Sequence, residues 1–152
     1  MKDLDIIEYF TDYAMDDNEA RSYVYINKQT GKTVACISIA CSVIMTEVNN
    51  AISEYYPAVL IDKFIVDKNY RHLQYMKEDD TSTLSSMIFM DFLEYIEEIS
   101  VNIIGAKYVV LYSVEEAHTF YHKKCDMNNF EDYMKRTDNP DTNDCIPMYC
   151  FI

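Results

Sequence analysis

Side chains able to do chemistry are scattered along this sequence rather than gathered in one motif. His118 and His122 stand four residues apart, the interval that sets two metal ligands on one helical face, and Cys125 follows closely. Spacing fixes no further ligand, and H-x-x-x-H arises readily by chance. The pair therefore reads as two surface histidines, one of which could tune a proton transfer near neutral pH. No metal site is expected. Glu47, Glu54 and Asp62 are carboxylates able to act as a general base. Asp62 is the most interesting, because a carboxylate inside a strand must face either solvent or a cleft; an exposed strand position is its ordinary reading. Ser85 and Ser86 lack the G-x-S-x-G setting of a nucleophilic serine. Cys36 and Cys41 lie in an apolar strand, where a thiol is usually inert. The five cysteines form no C-x-x-C pair and are odd in number, which fits reduced thiols in a cytosolic protein.

Periodicity indicates the elements that would position these groups. Residues 3–15 read as a helix with Ile6, Ile7, Phe10 and Ala14 on one face. Its early acids, Asp3, Asp5 and Glu8, sit where the helix dipole favours negative charge. Tyr23 and Tyr25 alternate with Val24 and Ile26 over residues 22–27, as in a strand. Thr30-Gly31-Lys32 is a turn with Gly31 free to take positive φ. The nearly apolar stretch from Thr33 to Met45 suits a strand covered on both faces, and the two strands make a hairpin. Residues 46–56 look polar and irregular. A strand is expected over 58–67, then a loop over 69–80. A helix follows, with Leu84, Ile88, Phe92, Ile96 and Ile99 at helical spacing, capped by Asp80, Thr81 or Ser82. Gly105 ends that connection. A buried strand follows over 108–113, a short helix over 115–124, and a polar stretch over 130–144 broken by Pro140. A last strand closes the chain over 146–152. The strand–helix–strand unit at 58–113 calls for a right-handed parallel crossover beside an antiparallel hairpin. The fold class is thus α/β, a mixed sheet with helices on its faces.

Bulk composition sets limits on partners. The chain has 152 residues, 49% of them hydrophobic, with two glycines and three prolines, which fits one domain over 1–152 with no flexible linker. Thirteen basic against 26 acidic residues leave a net charge of −13. Such a surface repels phosphate backbones and anionic membranes, so neither nucleic acid nor membrane is expected as a partner. Lys123, Lys124, Lys135 and Arg136 form the one cluster of positive charge in the sequence and read as solvated surface. No charged segment leads into an apolar one at the N-terminus, and no apolar run approaches the ~20 residues needed to span a bilayer. A cytoplasmic location is expected, and a homodimer is compatible with the sequence.

Three segments, taken in order, resemble the GNAT family of N-acetyltransferases. Tyr56-Pro57-Ala58-Val59-Leu60-Ile61-Asp62-Lys63-Phe64-Ile65-Val66-Asp67-Lys68-Asn69-Tyr70-Arg71 is similar to the family's central strand, in which an L-A-V-D-x-x-Y-R/Q pattern runs into a glycine-rich loop and a helix. Ala117-His118-Thr119-Phe120-Tyr121-His122-Lys123 resembles its A-x-x-F-Y-E-K helix, and Pro147-Met148-Tyr149 its final strand. The likeness covers roughly residues 57–152, and the helix-plus-hairpin start agrees with the family's N-terminal half. It implies a GNAT-like acyl-CoA N-acyltransferase fold and transfer of an acetyl group from acetyl-CoA to an amine on a small molecule or a protein. Some relatives are toxins that act on aminoacyl-tRNA and share the Y-P-A-x-L-I run-in. The acidity of this chain argues against a tRNA-facing surface.

The resemblance also assigns roles. Acetyl-CoA carries a diphosphate, best held by unpaired amides at a helix N-terminus, with glycines allowing close approach. The pantetheine arm would lie along the backbone of Phe64, Ile65 and Val66, where an amide polarises the thioester carbonyl. Arg71 belongs to the same loop. Tyr121 is the implied acid that protonates the departing thiolate, and Asp62 is the preferred base. The glycines, however, are missing: His72-Leu73-Gln74-Tyr75-Met76 follows Arg71. An insertion would let Thr83-Leu84-Ser85 stand in at the helix start, with Thr83 and Ser85 offering hydroxyls to phosphate. Glu78, Asp79 and Asp80 lie just upstream and oppose a diphosphate, at about 1 kcal/mol per pair at ~4 Å in water-like dielectric. Cys125-Asp126 replaces the G-F that usually follows the tyrosine, and Val114 replaces an asparagine that contacts pantetheine. The competing expectation is therefore a GNAT-fold interaction module that no longer binds CoA.

Overall fold

A computed structural model describes residues 3–74, 82–137 and 139–152. The chain divides into two compact units, Met1–Ala40 with Ile61–Asp91 and Cys41–Leu60 with Phe92–Ile152. The elements run α1 (Asp3–Glu8), β1 (Ala20–Ile26), β2 (Thr33–Val48), β3 (Ala51–Val66), α2 (Leu84–Ile99), β4 (Tyr108–Ser113), α3 (Glu115–Lys124), β5 (Asn128–Asn129), β6 (Met134–Lys135) and β7 (Ile146–Phe151). The strands form one mixed sheet in the order β1-β2-β3-β4-β7-β5, with β6 beside β2.

Local chemistry explains most of these boundaries. In the first unit, β1 pairs antiparallel with β2, placing Ser22 opposite Ser38. The link between them turns at Gly31, φ 69°, as the sequence requires. Tyr25 faces inward and Val24 outward, the reverse of what their hydropathy would favour; Tyr25 keeps its ring inside and donates its hydroxyl to Asp91 at 2.7 Å. The N-terminal helix is shorter than its apolar pattern. After α1 the chain widens into a π-helical turn over Tyr9–Tyr13, closed by the Ala14 amide on the Tyr9 carbonyl at 2.9 Å. That extra residue shifts the face, so Ile7 is half exposed and Tyr9 swings to Ser38 (3.3 Å) and Asp17 (2.6 Å). Val34, Ala35, Val66 and Ile88 make the core of this unit, with Phe64 and Tyr25 packed against it.

The clearest departure from the sequence reading is at residues 46–56. They are not irregular: β2 and β3 are strands of 16 residues each, joined by Asn49-Asn50 alone. Both asparagines take positive φ, 53° and 62°, which is the two-residue hairpin geometry that matches strand twist. Thr46 and Ser53 face one another across it, hydroxyl to hydroxyl at 3.1 Å.

The second unit holds β4 and β7 antiparallel over their full length, Tyr108 opposite Phe151 and Ser113 opposite Ile146. Its core joins Ile44, Ala58, Val110, Met134 and Tyr149. The end of α2 relaxes into a π-helical turn over Ser100–Ile104. Gly105 stops it at φ 71° with its amide on the Ser100 carbonyl at 2.6 Å. The expected polar stretch over 130–144 contains the short β6 and a 3-10 turn, Pro140–Thr142. No disulfide joins the cysteines, and no described helix is long and apolar enough to cross a membrane.

Candidate functional site

The first unit holds all six residues expected to bind the cofactor, Phe64, Ile65, Val66, Arg71, Thr83 and Ser85, where β3 ends and α2 begins. Phe64 turns its ring into the core, edge-on to Phe89 at 5.3 Å, so it contributes packing and only its backbone faces outward chemistry. Arg71, in the turn after β3, folds back: its Nε and Nη2 donate to the Val66 carbonyl at 3.3 and 3.2 Å. Ser85, in the first turn of α2, donates its hydroxyl to the Arg71 carbonyl at 2.8 Å and is 5% exposed. Strand end, turn and helix start are thus stitched into one piece through Val66, Arg71 and Ser85.

The front of α2 is capped reciprocally. Ser86 donates its amide to the Thr83 hydroxyl at 3.3 Å, and Thr83 donates its amide to the Ser86 hydroxyl at 3.0 Å. Leu84 donates its amide to the Leu73 carbonyl at 2.7 Å. Of the first three amides of α2, that leaves Ser85's alone without an assigned acceptor among the described residues. The cap falls on Thr83, one residue after Ser82 and two after Thr81; Asp80 and Thr81, with Glu78 and Asp79, lie outside the described residues. The hydroxyls of Thr83 and Ser85, which sequence reasoning turned toward a phosphate, are engaged instead in the cap and the turn.

A groove of about 570 Å³ opens in the same unit. Ile7 and Phe10 from the N-terminal helical segment, Val24 from β1, Val34 and Ala35 from β2 and Ile65 and Val66 from β3 give it an apolar wall. Asp67, Lys68 and Arg71 supply its charged lining. Sequence reasoning missed Lys68 and this wall. The signal in the sequence was slight: Val24, an apolar residue of β1, and a lysine three residues before Arg71. Cys36 also lines the groove, and burial pushes its thiol above the ordinary value, which makes it inert.

Tyr121 belongs to the second unit, on α3. Its ring packs edge-on to Phe120 at 5.1 Å. Burial, and after it the neighbouring Cys125 thiol, raises the phenol above its ordinary 10.0, so the hydroxyl is protonated across the physiological range. Cys125 is 1% exposed, and burial pushes its thiol up to about 12. It is a packing residue rather than a nucleophile. His118 and His122 stack at 5.7 Å with nearly parallel rings; His118 Nε2 meets Asn129 Oδ1 at 2.8 Å and His122 Nδ1 meets the Met127 carbonyl at 2.9 Å. Both rings are thus tied to the segment after α3. No metal-binding group of three or more ligands occurs among the described residues.

Each of the three base candidates already has a partner. Asp62 forms a close ion pair with Lys63, whose ammonium also lies 3.9 Å from the centre of the Tyr9 ring. Glu47 pairs with Lys135 at 3.5 Å, and Glu54 accepts a short hydrogen bond from the Tyr56 hydroxyl. Each is paired through one carboxylate oxygen, which leaves lone pairs on the other oxygen for an incoming proton.

No family model matches the sequence, and no curated protein matches it. Solved structures do. The mixed sheet flanked by helices, with β4 and β7 paired antiparallel, matches the GNAT fold of solved structures. A bacterial toxin is similar over 99% of this chain and 78% of its own, at 13% identity and a TM-score of 0.68. The toxin AtaT, solved with acetyl-methionyl-tRNAfMet, is similar over 99% of this chain and 83% of its own, at 13% identity and a TM-score of 0.65. GCN5 of Tetrahymena is similar over 100% of this chain and 77% of its own, at 14% identity and a TM-score of 0.58. At these identities the likeness establishes the fold.

Proposed function

We propose that this chain is an N-acetyltransferase that moves the acetyl group of acetyl-CoA onto an amine. The observation that supports this most is the β3–turn–α2 piece. It keeps a helix N-terminus and its Ser85 amide beside a strand end, and two cations, Lys68 and Arg71, line the adjoining groove. The diphosphate of acetyl-CoA would be held by side-chain charge together with the Ser85 amide, rather than by a run of glycine amides. Phe64, Ile65 and Val66 would flank the pantetheine arm, with the Val66 carbonyl reserved by Arg71. Fold neighbours support the donor: AtaT has been solved with acetyl-CoA bound.

The reaction forms a C–N bond and breaks a C–S bond. The attacking amine must lose a proton and the leaving thiolate must gain one. Tyr121, protonated throughout the working range, is the proposed acid for the leaving thiolate. A phenol raised above 10 is a weaker acid than a thiol near 8.5, so full transfer from it runs uphill unless the proton released by the amine replaces it. Asp62 is the proposed base; Lys63 pairs with its Oδ2, and its other oxygen would accept the proton. The acceptor is an amine on a small molecule or a protein, drawn as its cation by the net charge of −13; it gives up one proton to solvent before attacking as the neutral amine.

A second reading follows from the capped helix front. With the amides of Leu84 and Ser86 already taken and no glycine nearby, the chain would be a GNAT-fold module that binds partners but not CoA. Thermal melts with and without acetyl-CoA separate the two. A site on the folded state raises the melting temperature, by about 2.7 kcal/mol of stability at a ligand concentration 100 times Kd. An unmoved midpoint at millimolar acetyl-CoA would leave the second reading standing.

A further inference from the structure

The second unit carries an aromatic sheet face that the proposed transfer reaction does not use. Tyr56 on β3 meets Tyr108 on β4 at 5.8 Å, and Tyr108 meets Phe151 on β7 at 4.9 Å. The register that sets Tyr108 opposite Phe151 makes this row continuous across three strands. Phe151 is 66% exposed, and Tyr133, within electrostatic reach of Tyr56 and Tyr149, is 51% exposed. Carboxylates border the row. Tyr56 donates to Glu54, and Tyr149 donates to Glu131 at 3.5 Å. Both carboxylates are exposed, and among the described residues neither forms a salt bridge. Glu47, by contrast, is neutralised by Lys135.

We propose that this face docks a basic segment of a partner polypeptide, one carrying several arginines or lysines. Phenol rings present negative faces to guanidinium and ammonium groups, and the exposed carboxylates of Glu54 and Glu131 add negative charge beside them. The exposed ring of Phe151 can cover the aliphatic stems of such side chains. A second copy of this chain is disfavoured, since each copy carries a charge of −13. Neighbouring strands lie ~4.8 Å apart, so a row across three strands spans about 10 Å. That is room for successive cationic side chains on one extended segment. The face sits at the start of β4, while α3 with Tyr121 follows its other end, about 17 Å of strand away.

The test uses the full chain and a fluorescent octapeptide of alternating arginine and serine, read by anisotropy without acetyl-CoA. Its outcome is therefore independent of whether acetyl-CoA binds. The wild-type chain should bind, more weakly as salt rises, and a glutamate-for-arginine peptide should not. Glu54→Gln with Glu131→Gln should weaken binding at least tenfold, and Phe151→Ala several-fold. A control pair, Glu97→Gln with Glu98→Gln on the exposed side of α2, removes equal charge elsewhere and should leave binding within twofold. Melting curves report whether each variant is folded. No binding by the wild type, equal losses from the control pair, or equal binding of the acidic peptide would each overturn the proposal. Displacement of the peptide by micromolar spermine would overturn it too, by assigning the face to a free polyamine.

Discussion

Thr83 is the residue on which the two uses of the α2 front diverge most sharply. The hydroxyl either caps the helix, as the 3.3 Å bond from the Ser86 amide indicates, or serves as a ligand for phosphate. Replacing it by alanine removes that cap and leaves the reverse bond, Thr83 amide to Ser86 hydroxyl, intact. An N-cap of this type is worth 0.5–2 kcal/mol, and with half the reciprocal pair retained the loss should be about 1 kcal/mol. For a chain of this size that lowers the melting temperature by about 2–4 °C. The substitution also releases the Ser86 amide next to that of Ser85. A hydrogen bond to a charged group contributes about 1.5–3 kcal/mol, so an anionic ligand at this helix end should bind Thr83→Ala at least as tightly as the wild type. The assay is a pair of melting curves, with and without saturating acetyl-CoA. The expected result is a lower midpoint without ligand and an undiminished shift with it. An unchanged midpoint combined with loss of the acetyl-CoA shift would refute the capping argument and return Thr83 to the role of phosphate ligand.

Three further outcomes follow from the geometry. Tyr121→Phe should lower the rate of thiol release from acetyl-CoA by about 10²–10⁴ while leaving the acetyl-CoA melting shift in place; unchanged turnover removes Tyr121 from the mechanism. Because its phenol is raised, the wild-type rate should show no alkaline loss from this group below pH 10, its ordinary value. Asn50→Gly should raise the melting temperature and Asn50→Val lower it by about 1–2 kcal/mol of stability, since only the former suits φ 62° without a Cβ penalty. Asp17 is held below its ordinary 3.8, chiefly by the Tyr9 hydroxyl and then by the Glu19 amide. A depressed carboxylate stabilises the fold above the unfolded value and loses that contribution as pH falls through the folded one. The gap in melting temperature between wild type and Asp17→Asn should therefore close as pH drops below 3.8; a gap that widens would reverse the sign of the coupling.

What the sequence made legible was governed by periodicity. Leu84 to Ile99 and the segments 108–113 and 115–124 fall where the sequence pattern puts them: α2 buries one face, and β4 is a short apolar run buried on both. The 46–56 segment defeated that reasoning. Residues 48–55 are exposed on both faces, so no buried face leaves an alternation to read, and the turn uses two asparagines where Asn-Gly is the stronger signal. The N-terminal helix failed for a different reason: a π-helical turn has no signature in residue type, and here it is selected by Tyr9 reaching Asp17 and Ser38, one of them far along the chain. At the candidate site, residue positions were legible and side-chain directions were not. Thr83 and Ser85 lie at the helix start as expected, yet each hydroxyl is engaged by the backbone, Thr83 by the Ser86 amide and Ser85 by the Arg71 carbonyl.

That preference has a consequence for how a diphosphate could be held here. A glycine-rich loop leaves its amides unspent and brings them close to a ligand, at the cost of chain entropy. This chain instead spends amides on its own structure, Leu84 on Leu73 and Ser86 on Thr83, and so gains a rigid helix start without glycine. Charge must then replace dipoles. Lys68 and Arg71 line the groove beside that helix start, and Arg71 is braced by the Val66 carbonyl while its own carbonyl holds Ser85. Point charges on side chains are screened by salt where exposed, whereas amide cradles are much less so. Acetyl-CoA affinity in this chain should therefore fall steeply with ionic strength, and Lys68→Met should flatten that dependence. A salt-independent affinity would mean that backbone amides, not Lys68 and Arg71, carry the phosphates after all.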